Sequence, residues 1–509
     1  MKTSNPLPIH PFLVGIYPVL ALLAYNIEEI SAGSALRALC VALIFSAVLY
    51  LISRWALKDW RKAGLVASIT LILFFSYGHI YTLAEMTSAA ALPLGRHRIL
   101  APLFLLIWGL LVWLVARQRK DLGGATRIFN LVAAIAILFP LFTICTFAYE
   151  ALTSDTPAVD NQANTQYAGP KPDVYYIILD GYSRADALEE MYDYDNSQFI
   201  QQLESLGFFV ASCSVSNYAQ TLLSVPSSMN MDYLQSLDPA YADPMHNSRA
   251  ALPDYIQHGR VRQFLENQGY RTVAFDSGLT WTNLNDADVF LKSGGRSVAW
   301  MGILQRINEF ESMLLDTSAA LILTDATVKL PQLFQPKIGL KRMHRERVLY
   351  ALDHLPEAAA IPGPKLVFAH IVSPHMPYVI GPDGEMLDKD VDEMDGYRGQ
   401  VTYINKRILP ILEQIIAQSE IPPVIILQAD HGSAISDPSH RMQILNAYYL
   451  PAGGDKLLYD TISPVNSFRL VFKHYFGASF ALLEDRPYFS SYEAPFDFSI
   501  QEDAQNGCR

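Results

Sequence analysis

The sequence predicts a membrane domain of five α-helical spans over residues 1–150, a linker over 151–172, and an extracytoplasmic α/β domain with a mostly parallel sheet over 173–500. Three observations carry this reading. Five long apolar runs fill the first 150 residues of a chain that is 51% apolar. From Asp173 onward, short apolar runs alternate with helical patterns, the order of a parallel sheet covered on both faces. Charge divides at the same place. Residues 1–150 hold 12 Lys+Arg against 6 Asp+Glu, so the remainder carries −18 of a chain total of −12. At 509 residues the chain is too long for a single core.

The apolar runs cover about 11–27, 35–53, 64–84, 99–116 and 128–149. Each is near the ~20 residues that a bilayer-spanning helix needs. The first is the shortest and contains Pro11 and Pro18. No small-residue cleavage site follows it, so it reads as a retained anchor rather than a signal peptide. Arg54, Lys58, Arg61 and Lys62 follow the second run, and Arg117, Arg119, Lys120 and Arg127 follow the fourth. The alternate loops hold only Arg96 and Arg98. Positive loops stay cytoplasmic. The N-terminus is therefore expected inside, in a multi-pass inner-membrane protein, with everything after Glu150 outside.

In the outer domain, strands are expected at 173–179, 271–276, 365–371 and 423–428, and helices at 196–206, 258–268 and 398–418. Segment 300–350 has a helical pattern, no strand signal and a basic cluster from Lys337 to Arg347. Its helices are expected beside the sheet or on the membrane surface. The strongly acidic outer domain excludes nucleic acid as a partner, because phosphate backbones need basic surfaces. Cys40 and Cys145 fall in apolar runs, which leaves Cys213 and Cys508 for at most one outer bridge and excludes a disulfide framework.

Two strand ends carry chemistry. Asp180-Gly181 follows Val-Tyr-Tyr-Ile-Ile-Leu, and Asp430-His431-Gly432 follows Pro-Val-Ile-Ile-Leu-Gln-Ala. Taken singly, each reads as a turn. Together they place carboxylates and an imidazole at the strand C-termini where open α/β sheets bind ligands. Such donors suit Zn²⁺ or Mn²⁺. Thr221, in Thr221-Leu-Leu-Ser224-Val-Pro226, reads as a helix cap or as a hydroxyl nucleophile activated by a metal. His375, between Pro374 and Pro377, and His440 are candidates for contacting substrate oxygens or donating a proton. His370 lies within a strand and reads as a satisfied core histidine.

These residues, Asp180-Gly181, Thr221-x-x-Ser224-Val225-Pro226, His375-x-Pro377, Asp430-His431-Gly432 and His440, resemble the alkaline phosphatase superfamily. The resemblance is to its membrane branch of phosphoethanolamine transferases and lipoteichoic acid synthases, which join five spans to a sulfatase-like domain. It implies an alkaline phosphatase-like (sulfatase-like) fold. It also implies one divalent metal on Asp180, Thr221, Asp430 and His431, zinc in preference to manganese, with Thr221 as the nucleophile and His375 and His440 on the phosphate. A membrane phospholipid donor and an extracytoplasmic glycan or lipid acceptor follow. The departures are specific. Asp180 stands where the family more often has Glu, and Ser227 follows Pro226 where the transferases usually have Cys. Ser228 replaces the arginine of the sulfatase motif, which disfavours a sulfatase. A membrane-anchored phosphodiesterase and a non-catalytic membrane module are the rival readings.

Overall fold

The computed structural model describes residues 6–87, 96–153, 169–293, 307–322, 340–387, 391–433 and 437–505. It divides into two compact units, Met1–Tyr149 with Ser297–Met343, and Glu150–Arg296 with His344–Arg509.

The first unit is helical: α1 (His10–Tyr25), α2 (Leu36–Leu57), α3 (Trp60–Thr87), α4 (His97–Arg117) and α5 (Gly123–Thr153). With the short turn before it, α2 is one of four helices long and apolar enough to cross a membrane, alongside α3, α4 and α5. The 16 residues of α1 make a rod of about 24 Å, short of a ~30 Å hydrocarbon core. The start of α1 is tied to α5. The Asn130 side-chain oxygen accepts from the backbone N–H of Ile9 (3.1 Å) and His10 (3.0 Å), groups that a helix end leaves unpaired. Trp55, Leu106, Phe139 and Phe142 are exposed on these helices, a surface that suits hydrocarbon rather than water. Of the 300–350 segment, which carries no strand signal in sequence, the described residues 307–322 group here. Its helix Glu309–Asp316 opens on an Asn308/Glu311 capping box, and Glu311 also pairs with Arg37.

The second unit is built on seven strands: β1 (Val174–Leu179), β2 (Phe209–Val210), β3 (Arg271–Phe275), β4 (Val289–Leu291), β5 (Lys365–Ile371), β6 (Val424–Gln428) and β7 (Asn446–Tyr449). Their order is β2-β7-β6-β1-β5-β3-β4. Strands β6, β1, β5, β3 and β4 are parallel, and β7 and β2 add antiparallel pairs at one side. The β1 side chains alternate between two cores, Val174, Tyr176 and Ile178 on one face and Tyr175, Ile177 and Leu179 on the other. Burial on both faces is why this strand reads as an unbroken apolar run. Truncating Ile177, fully buried at the centre of the sheet, to alanine should destabilise this unit by about 2–5 kcal/mol. A lower urea midpoint at unchanged slope would show it. An unchanged midpoint would remove Ile177 from the core.

Alternation also sets the chemistry-bearing face. Ile178 pairs with His370 on one side and with Gln428 on the other, so the three central strands end level. Counting in twos from the first core, Val174-Tyr176-Ile178 leads to Asp180, Leu366-Phe368 to His370, and Val424-Ile426-Gln428 to Asp430. Three polar groups thus emerge on one face, at the C-terminal edge of three adjacent strands. Against that face packs a helix, α8 (Thr221–Asn230), buried along its whole length and preceded in this unit by α6 (Ala185–Tyr192) and α7 (Ser197–Ser205).

Candidate metal and nucleophile site

Asp180, Asp430 and His431 are all buried. After Asp180 the chain turns through Gly181 in the left-handed region (φ 72°), which favours glycine. The Gly181 N–H donates to Asp430 Oδ1 at 3.2 Å and so holds the two strand ends together. His431 Nδ1 lies 2.9 Å from the Gly432 carbonyl, which can only accept, so Nδ1 carries the ring proton and Nε2 presents a lone pair. That Nε2 sits 3.4 Å from Asp430 Oδ2 and 3.6 Å from Asp180 Oδ1. Burial, helped by the charge of Arg441, lowers the His431 pKa to about 4, so the ring is neutral at pH 7. Burial by itself would raise the Asp180 pKa. The neighbouring His375, His370 and His431 outweigh it and hold the carboxylate below its ordinary range.

Thr221 is the first residue of α8. The cap position belongs to Gln220, so Thr221 is not a cap residue. Its hydroxyl lies 3.1 Å from His431 Nε2. Gln220 is itself fixed, its Nε2 donating to the Ser491 carbonyl at 2.9 Å and its Oε1 accepting from Arg249 at 3.2 Å. Ser224, one turn deeper, lies 3.2 Å from the Ser216 hydroxyl. Ser228 donates back to the Ser224 carbonyl at 3.0 Å.

His375 is partly exposed beside the group. Its Nδ1 donates to the Met376 carbonyl at 2.7 Å, and its ring stands edge-on to His431 with centroids 5.7 Å apart. His440 lies outside the group. Its two ring nitrogens face Asp437 at 2.9 Å and Glu190 at 3.3 Å. Burial pulls the His440 pKa down, but the bonds to and charges of those carboxylates more than reverse it, and the net shift is upward.

Two residues with roles here lay outside the sequence-based candidates. His370, expected to be a satisfied core histidine, is buried, but its Nε2 lacks a hydrogen-bond partner and stands 3.3 Å from Asp180 Oδ2. The period-2 count from Leu366 would have found it. Arg441 is a buried guanidinium that donates to the Ala219 carbonyl (2.9 Å), the Gly432 carbonyl (2.7 Å), the Ser433 carbonyl (3.3 Å) and His431 Nε2 (3.1 Å). It ties the loop entering α8 to the loop bearing His431. Burial lowers its pKa. Nothing in its local sequence distinguishes it from a surface arginine.

These residues fit a divalent cation. Asp180 Oδ1, Asp430 Oδ2 and His370 Nε2 are buried atoms with no hydrogen-bond partner. Buried carboxylate oxygens in that state are costly unless a cation meets them. Ligand atoms of Asp180, His370 and Asp430 lie within 4.8 Å of one another, as do those of Asp180, His375 and His431.

No family model matches the chain, and no curated protein matches it. Among solved structures, it is similar to the integral membrane lipooligosaccharide phosphoethanolamine transferase A from Neisseria meningitidis, at 11% identity and a TM-score of 0.38, over 90% of this chain and 94% of that one. It is also similar to the periplasmic domain of the phosphoethanolamine transferase EptC from Campylobacter jejuni, at 12% identity and a TM-score of 0.37, over 62% and 92% of the two chains. An alkaline phosphatase superfamily protein from Vibrio parahaemolyticus matches at 11% identity and a TM-score of 0.37, over 68% and 81%. These are groups that the sequence motifs resemble. At such scores the likeness carries no weight for the chemistry, which rests on this chain's own geometry.

Proposed function

We propose that the protein transfers a phospho-head-group, phosphoethanolamine- or phosphoglycerol-like, from a membrane phospholipid to a hydroxyl of an extracytoplasmic glycan or lipid, through a phospho-threonine at Thr221. The observation that supports this most directly is the Thr221 hydroxyl, 3.1 Å from a neutral imidazole nitrogen that itself faces two buried carboxylates. Asp180, Thr221, Asp430 and His431 would hold the metal, zinc in preference to manganese. A divalent ion bound there favours the Thr221 alkoxide and offsets charge developing on the phosphoryl oxygens.

Thr221 enters as the alkoxide, its proton having left to solvent. Its oxygen bonds to phosphorus as the bond from phosphorus to the diacylglycerol oxygen breaks. That oxygen leaves with a proton from His375, whose ring stands beside His431. In the second half the acceptor hydroxyl attacks phosphorus, its proton returns to the histidine, and Thr221 is regenerated. Lipid mass spectrometry of cells with and without the protein tests the reading. A donor phospholipid should fall as diacylglycerol and a head-group-modified acceptor rise. Release of the head group to water alone would favour a phosphodiesterase instead.

The membrane arrangement we propose is five spans, α1 included, with the N-terminus cytoplasmic and the second unit outside. Nine Lys+Arg lie on the inner side (Lys2 and two loops) against two in the outer loops. A periplasm-dependent phosphatase reporter fused after Arg509 should be active and a cytoplasm-dependent one silent. The reverse would mean that α1 does not span.

A further inference from the structure

We infer that His370 is a metal ligand, held in its ligating tautomer by Thr282. The inference rests on the metal site proposed above and adds to it a residue that the sequence motifs leave out.

The geometry behind it is a chain of hydrogen bonds that leads from Asp276 to Thr282. Asp276 carries a carboxylate 3.6 Å from the Arg347 guanidinium and can only accept. Asn283 donates to it through Nδ2 at 3.0 Å. The Asn283 Oδ1 therefore faces Ser277, and the Ser277 backbone N–H confirms that orientation by donating to it at 2.9 Å. The Ser277 hydroxyl has carbonyl acceptors for its one proton, Asn283 Oδ1 at 2.9 Å and the Leu279 carbonyl at 3.1 Å. The Thr282 oxygen is 2.8 Å away. With the Ser277 proton on one of those carbonyls, Thr282 donates to Ser277 or to the Leu279 carbonyl at 3.3 Å. With its proton used there, the Thr282 oxygen receives a proton from His370 Nδ1, 3.0 Å away. A neutral His370 consequently presents the bare lone pair of Nε2 to the sheet edge.

That lone pair stands 3.3 Å from Asp180 Oδ2 and within 4.8 Å of an Asp430 oxygen. Two carboxylates and this nitrogen converge in a buried space, where Asp180 Oδ1, Asp430 Oδ2 and His370 Nε2 have no hydrogen-bond partner, and a cation would meet all three. Metal-bound histidines are oriented in this way, by a partner on the other ring nitrogen. His370 enters from β5, so the ligands come from three adjacent strands rather than two.

Zinc-edge X-ray absorption on the full-length, zinc-loaded protein in detergent tests this, together with zinc affinity by chelator competition. Two coordinated imidazoles are expected, His370 and His431, and one in His370→Ala. Thr282→Val should weaken zinc binding about 10–100-fold, and Thr282→Ser, which restores the hydroxyl, should recover it. One imidazole in the wild type, or an unchanged count in His370→Ala, overturns the inference. If zinc still binds and Asp430→Asn still weakens it, the metal site stands without His370. Absence of any zinc binding by the wild type would remove both.

Discussion

Replacing Thr221 with alanine is expected to abolish turnover while leaving the fold in place. The hydroxyl is the only group of α8 that contacts His431 among the described hydrogen bonds, and losing it removes the proposed bond to phosphorus altogether. The expected fall in kcat is on the order of 10⁴-fold or more, the scale of losing a nucleophile. The structural effect is small by comparison, about 1 kcal/mol for one hydrogen bond, because His431 Nε2 keeps Arg441 as a donor. Thr221→Ser should retain partial activity, since an ionisable oxygen stays at the helix start. Ser224→Ala should be mild, since Ser224 bonds to Ser216. Intact-protein mass spectrometry after incubation with donor lipid should find a phospho-adduct on Thr221. An adduct on Ser224, or normal turnover by Thr221→Ala, would return the site to a sulfatase-like reading.

Asp430→Asn should remove most of the metal affinity. Asparagine keeps an oxygen for the Gly181 N–H, 3.2 Å away in the native site, so the loop geometry is retained while the charge is lost. A direct ligand should matter more than the roughly 10–100-fold of an outer-shell partner, so weakening beyond about 100-fold is expected. Stability follows by mass action. With metal at a hundred times the native dissociation constant, the wild type gains about 2.7 kcal/mol, and a variant bound 100-fold more weakly gains about 0.4. Thermal melting with and without zinc reads that difference. Equal metal-induced shifts in the two proteins would take Asp430 out of the ligand set.

Much of this architecture was legible because burial on both faces leaves an unmistakable trace. Strands β1, β5 and β6 run within a residue of the segments expected from their apolar character, and the Asp-Gly and Asp-His-Gly turns fall at their ends. Strands β2, β4 and β7 were not legible, because two to four residues carry too little periodicity to stand out. Helix α8 was legible only through Thr221 as a possible cap, because it is buried along its whole length and so shows no amphipathic stripe. His440 illustrates the opposite failure. Proximity to His431 in sequence places it near the site, but pairing with Asp437 and Glu190 turns its ring away from the carboxylates. Arg441, its neighbour, points inward because the loop entering α8 and the His431 loop offer it carbonyls. That is a tertiary fact with no local signature.

The sheet order has a consequence for how the protein comes into being. Strand β1 is made first of the seven, yet its two neighbours arrive far later: Asp173 and Lys365, at the start of β1 and β5, are 192 residues apart, and Gly181 and Asp430 are 249 apart. During synthesis, β1 therefore waits unpaired while most of the remaining chain is translated, a long-range closure that folds slowly and exposes an aggregation-prone strand in the meantime. Asp180 and Thr221 emerge well before Asp430 and His431, so a nascent chain lacks two of the four proposed metal ligands. The proposed set comes together in one late event, when β6 docks beside β1.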